Sequence, residues 1–114
     1  MSFKRIEKKK IEHGIIGFIV GDALGVPHEF KDRSYFDQYP VQTMMGYGTH
    51  YQPKGTWSDD SSLLLITYDE IRKGNDIDTI SKKFIKWLDE AYMTPHGEVF
   101  DVGNTTLRSI TRLR

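Results

Sequence analysis

Residues 58–61 read Ser-Asp-Asp-Ser, just ahead of the apolar run Leu63-Leu64-Leu65-Ile66. Ser or Asp before such a run is ordinary helix-capping chemistry, contributing about 1 kcal/mol. Acidic residues in a first turn also favour the helix dipole. One capping residue needs no other explanation, but two adjacent carboxylates between hydroxyls exceed what capping requires. A divalent cation offsets their repulsion directly, and carboxylate and hydroxyl oxygens suit Mg2+, Ca2+ or Mn2+. Spacing alone leaves both readings open, a cap or a metal site. A second stretch, GDALGVPHEF at 21–30, sets Glu29 just past a helix end on a turn stiffened by Pro27. Alone, that glutamate reads as a surface residue.

These residues need elements to hold them. Ile6 to Leu24 is expected as a helix, with Ile11, Ile15, Phe18, Ile19 and Leu24 on a rough stripe, ended by Gly25-Val26-Pro27. Gly14, Gly17 and Gly21 share one face, at up to about 1 kcal/mol each. That face implies close approach, either tight helix packing or a ligand. Residues 31–57 are punctuated by Pro40, Gly46, Gly48, Pro53 and Gly55 and lack periodicity. A loop that long is usually functional or carries short helical turns. Ser58 to Lys73 is the next helix, closed by Gly74. Asp76 or Asp78 caps a third, with Ile77, Ile80, Phe84, Trp87, Leu88 and Ala91 on one face. After a break at 94–97, Asn104 caps a fourth that carries Leu107, Ile110 and Leu113 and runs to Arg114. No stretch reads as a strand. The expected class is all-α, about four helices with a long irregular loop.

The length, 114 residues, allows one domain at most. The last helix carries no stop signal, so 1–114 is expected to be a single partial domain. Sixteen basic and sixteen acidic residues cancel, so no global field favours nucleic acid or membrane. The cluster Lys4, Arg5, Lys8, Lys9, Lys10 reads as a solvated first helical turn or two. There is no cysteine, which removes disulfides, thiolate metal sites and cysteine nucleophiles, and fits a cytoplasmic protein. Ile15 to Val26 is too short to span a bilayer and contains Asp22, so it reads as a buried helix. His50 and His96 read as loop histidines, Trp57 and Trp87 as core.

Taken together, GDALGVPHEF, GTWSDDSS and WLDEAYMTPHGEVFDVGNTT resemble the ADP-ribosylglycohydrolase family, in order, from about Ile11 to the C-terminus. The resemblance implies a compact helical bundle holding two metal ions, usually Mg2+ and in some members Mn2+. Ser58, Asp59 and Asp60 match the family's Thr/Ser-Asp-Asp ligand triplet. Glu29 matches a glutamate assigned to catalysis or to metal-linked gating. Asp22 matches an aspartate expected to support the ligands from behind. Asp101, Gly103 and Asn104 fall in a matching block whose glycine and helix start either approach a phosphate or serve only as a cap. Tyr47, Tyr51 and Phe100 are candidates to stack on adenine. The implied reaction hydrolyses the glycosidic bond between ADP-ribose and a protein or small-molecule acceptor through an oxocarbenium-like transition state.

The family's second ligand set, an Asp-x-Asp-Thr/Ser segment far downstream, has no match in 61–114. Asp76-Ile77-Asp78-Thr79 has the letters but lies too early, at the cap of a short helix, and reads as a coincidence. Three explanations follow: a piece of an active hydrolase, a half completed by a second chain or swapped copy, or a remnant that binds ADP-ribose or a protein without catalysis. Open apolar faces on the last two helices are expected to favour association.

Overall fold

A computed structural model describes residues 7–114. Among them lie five α-helices, α1 (Lys8–Gly25), α2 (Arg33–Gln38), α3 (Asp59–Arg72), α4 (Ile77–Glu90) and α5 (Asn104–Thr111), with 3-10 turns at Val26–His28 and Gly48–His50. The all-α class holds. The helix count rises from about four to five because α2 forms inside the expected loop. No strand occurs among the described residues; one isolated antiparallel bridge joins Tyr47 to Gln52. The expected start of the first helix at Ile6, and the basic residues Lys4 and Arg5, lie outside the described residues.

The core lies in the C-terminal half. Ile66 of α3, Trp87 of α4 and Ile110 of α5 are buried together, and Leu63, Phe84, Ile85, Leu88, Tyr92 and Val102 close around them. The helical spacing of α4 places Phe84, Trp87 and Leu88 on that one face. Trp57 is only half-buried, and its indole N–H donates to the Ser62 hydroxyl at 3.3 Å. Gly74 takes the left-handed conformation, φ 79°, that ends α3, and its N–H bonds the Ile71 carbonyl at 3.0 Å. Glu70 is buried near that end, where the Asn75 side-chain amide donates to it at 2.5 Å.

Two expectations for α5 are corrected. Gly103, not Asn104, occupies the cap position, with extended backbone and no side-chain bond; Asn104 is the first helical residue. The helix also stops at Thr111, short of Arg114. The α1 glycines are corrected as well: a methyl group at Gly14, Gly17 or Gly21 would meet nothing within 4 Å. Tight helix packing at that face is therefore not what the described residues show, and Gly21 lines an open cleft. Ile11, Ile16, Phe18 and Val20 of α1 are exposed, as are Leu107 and Leu113 near the end of the chain. Of the α1 residues only Ala23 is buried, beside the turn that leads to Glu29.

Candidate functional site

Four segments meet at an open cleft of about 270 Å3, lined by Gly21, Asp22, Gly25, Val26, Glu29, Ser58, Asp59, Asp60, Phe100 and Asp101. Six of the eight residues singled out in the sequence therefore share one wall system: Asp22, Glu29, Ser58, Asp59, Asp60 and Asp101. Gly103 and Asn104 are not in its lining.

Asp22 sits in the last turns of α1 and locks the start of α3. Its two carboxylate oxygens accept the Ser58 N–H at 2.9 Å, the Ser58 hydroxyl at 2.8 Å and the buried Ser61 hydroxyl at 2.5 Å. Three donors at one carboxylate offset the cost of half-burying it. Because the Ser58 hydroxyl gives its proton to Asp22, its lone pairs face away from that partner. One of them receives the Asp60 N–H at 3.4 Å as a long helix cap.

Asp59 has its carboxyl raised above the ordinary value of 3.8, first by burial, then by the neighbouring charge of Asp60, with a smaller push from Asp22. The hydrogen bond from the Asp60 N–H, at 3.0 Å, pulls the other way without cancelling the rise. The first turn of α3 thus holds Asp59 partly buried and beside a second carboxylate.

Glu29 follows the 3-10 turn that Pro27 initiates. Its backbone is clamped by Thr49, whose hydroxyl lies 2.6 Å from the Glu29 carbonyl and 3.2 Å from that of Pro27. His50 Nε2 lies 2.9 Å from Glu29 Oε2 and 3.4 Å from Asp101 Oδ2. One ligand atom from each of Glu29, His50 and Asp101 lies within 4.8 Å of the others, so these three also form a possible cation-binding group.

His50 belongs to this cluster although nothing in the sequence marks it. The pairing spans distant segments, and no motif spacing ties a loop histidine to Glu29. His96 stands apart, 2.9 Å from Thr56, whose own proton goes to the Pro53 carbonyl at 2.6 Å. Of the aromatic candidates Phe100 lines the cleft, while the exposed Tyr47 and Tyr51 pair with each other at 5.1 Å.

The ADP-ribosylglycohydrolase family model matches residues 4–114 of the sequence. The chain belongs to the ADP-ribosylglycohydrolase family. Two relatives are similar over most of this ADP-ribosylglycohydrolase-family chain. An ADP-ribosylarginine hydrolase Tri1 from Serratia proteamaculans (strain 568) is 32% identical over 103 residues, covering 89% of this chain and 27% of the relative. The protein of the same name from Pseudomonas putida (strain GB-1) is 31% identical over 98 residues, covering 84% of this chain and 26% of its own length. The chain therefore spans about a quarter of the length of these relatives. No described helix is long and apolar enough to cross a membrane.

Proposed function

We propose that this chain carries one half of a two-metal ADP-ribosylglycohydrolase site, and that the complete site hydrolyses the bond between ADP-ribose and arginine. The acceptor follows the names of the two relatives. One observation supports the reading above the rest: Asp22, Glu29, Asp59, Asp60 and Asp101 converge on a single cleft from segments far apart in sequence. Capping alone gives no reason for such convergence.

The donor set fits Mg2+. It offers carboxylate and hydroxyl oxygens and no thiolate, and Asp59, raised first by burial and then by the charge of Asp60, is a carboxylate whose ionised form a divalent cation would favour. Ser58, Asp59 and Asp60 would hold the ion, with Asp22 fixing the Ser58 hydroxyl from behind; Mn2+ accepts the same oxygens. When bound, the metal supplies a site for ribose hydroxyls and lowers the pKa of a coordinated water. Glu29 lines the same cleft and would exchange a proton with the attacking water or the departing guanidine. Phe100 offers a flat apolar face in the wall.

In this reading the opposing metal ligands come from a complementing segment, chain or second copy, and the partners are the ADP-ribosylated substrate and that complement. Neutral net charge and the lack of cysteine agree with a cytoplasmic setting without nucleic-acid or membrane partners. A second reading is ADP-ribose binding without turnover. One experiment separates them. Purified protein is incubated with an ADP-ribosyl-arginine peptide and Mg2+, and free ADP-ribose is measured with and without chelator. Chelator-sensitive release supports hydrolysis; calorimetric ADP-ribose binding without release supports the second reading.

A further inference from the structure

We propose that His50 is a positioning residue that fixes the Glu29 carboxylate beside Asp101 through its Nε2–H, and that the turn Gly48-Thr49-His50 seats it. For its kinetic consequence the proposal rests on the hydrolase reading above; its geometry does not.

The two carboxylates approached by His50 Nε2 accept hydrogen bonds and, when ionised, have none to give. Nitrogen Nε2 must therefore carry the proton. One N–H then bonds Glu29 at 2.9 Å, and its positive end lies 3.4 Å from Asp101, between two groups that would otherwise repel. The partners differ in freedom. The His50 side chain is only 8% exposed, whereas those of Glu29 and Asp101 are 46% and 44% exposed. A half-exposed carboxylate samples several rotamers; a buried donor holds it in one.

The ring itself is held on two sides, by Phe30 at 5.6 Å and Phe100 at 5.4 Å between centroids. Its backbone is held too. Gly48 has φ 54°, and a methyl group there would sit 2.1 Å from the Pro27 carbonyl oxygen, so the turn approaches the Glu29 segment as closely as a chain can. Thr49 then bonds the Glu29 and Pro27 carbonyls. Backbone and side chain of the same turn thus grip the backbone and side chain of Glu29. Such a double grip matters for a group that must meet a reacting atom, because misplacement by about 1 Å costs about a hundredfold in rate.

Two variants separate donation from packing. His50→Phe keeps a ring between Phe30 and Phe100 but has no nitrogen; His50→Gln keeps an N–H donor. With folding checked by circular dichroism, H50F is expected to lose about a hundredfold in kcat for ADP-ribose release at nearly unchanged KM, and H50Q to recover most of it. Wild-type kcat in H50F, or equal losses in H50F and H50Q, overturns the proposal. A second measurement does not need turnover. In nitrogen-15 spectra the His50 ring is expected to carry its proton on Nε2, and that resonance to move in both Glu29→Gln and Asp101→Asn. An unprotonated Nε2, or a resonance indifferent to both changes, overturns the proposal. If the unaltered protein, which carries half of the proposed site, releases no ADP-ribose without its complement, the spectra alone decide the role of His50.

Discussion

At the start of α4, Asp76 accepts the Thr79 N–H and the Thr79 hydroxyl, each at 3.0 Å. At the start of α3, Asp59 accepts one N–H, from Asp60 at 3.0 Å, and faces the charges of Asp60 and Asp22. Both first turns carry two acidic residues and a hydroxyl, and Asp76-Ile77-Asp78-Thr79 even has the letters of a metal-ligand segment. Their electrostatics are opposite. The carboxyl of Asp76 is lowered, chiefly by the Thr79 backbone N–H and then by its hydroxyl, as a satisfied cap should be. That of Asp59 is raised by burial and by like charge. A helix start alone does not make a site; a site begins where charge is brought together beyond what the helix can satisfy.

The comparison breaks most visibly on activity. Asp59→Ala and Asp60→Ala are each expected to cut Mg2+-dependent ADP-ribose release by more than about a hundredfold. Asp76→Ala and Asp78→Ala are expected to leave it unchanged. Equal losses in the two pairs, measured at saturating Mg2+, would remove the distinction between the two helix starts.

The next effect concerns Asp22. It is the group that makes α3 more than a capped helix, since it supports the Ser58 hydroxyl and accepts from Ser61. Asp22→Asn keeps the shape but puts a donor where three protons already point. Metal affinity by calorimetry is expected to fall about ten- to a hundredfold. An unchanged affinity would reduce Asp22 to a structural clamp.

Much of this contrast was legible in the sequence, and the reasons are local. Ser58, Asp76 and Gly74 act within a few residues of themselves, so capping rules placed α3 and α4 within a residue or two. Trp87 and Ile110 follow from helical spacing alone. What escaped depends on long-range geometry. Short helix α2 gives no periodic signal in six residues. Asn104 has the letters of a cap, yet Gly103 takes the position with ordinary extended backbone and Asn104 becomes the first helical residue. The α1 glycines suggested close packing, but spacing says which residues share a face and not whether anything covers it. His50 joins Glu29 only because the turn at 48–50 folds onto the turn at 26–28, and neither turn has a period to read.

A third effect separates the helix starts by pH. The raised carboxyl of Asp59 means that the folded state holds this proton more tightly than the unfolded chain does. Without metal, stability from this group is therefore lost as pH rises from the unfolded value through the folded one. Asp59→Asn is expected to raise the melting temperature of metal-free protein at neutral pH and to give no gain well below pH 3.8, where wild-type Asp59 is protonated in both states. Added Mg2+ should stabilise the wild type and not the variant. A melting curve of Asp59→Asn that lies below the wild type at neutral pH would mean that its bond to the Asp60 N–H outweighs the crowding.

The smallest effect has the opposite sign. Because the Asp76 carboxyl is lowered, its stabilisation is present above the ordinary value of 3.8 and is lost as pH falls through the folded one. The group is fully exposed, so solvent screens it and the change is slight. Asp76→Ala should lower the melting temperature a little at neutral pH, with the difference vanishing in acid as the wild-type cap is protonated. Mg2+ should shift wild type and Asp76→Ala by the same amount, since nothing at this helix start draws a cation. A Mg2+ shift that depends on Asp76 would place an ion at α4 as well. The charge excess at Asp59 would then no longer distinguish a metal-holding helix start from a capped one.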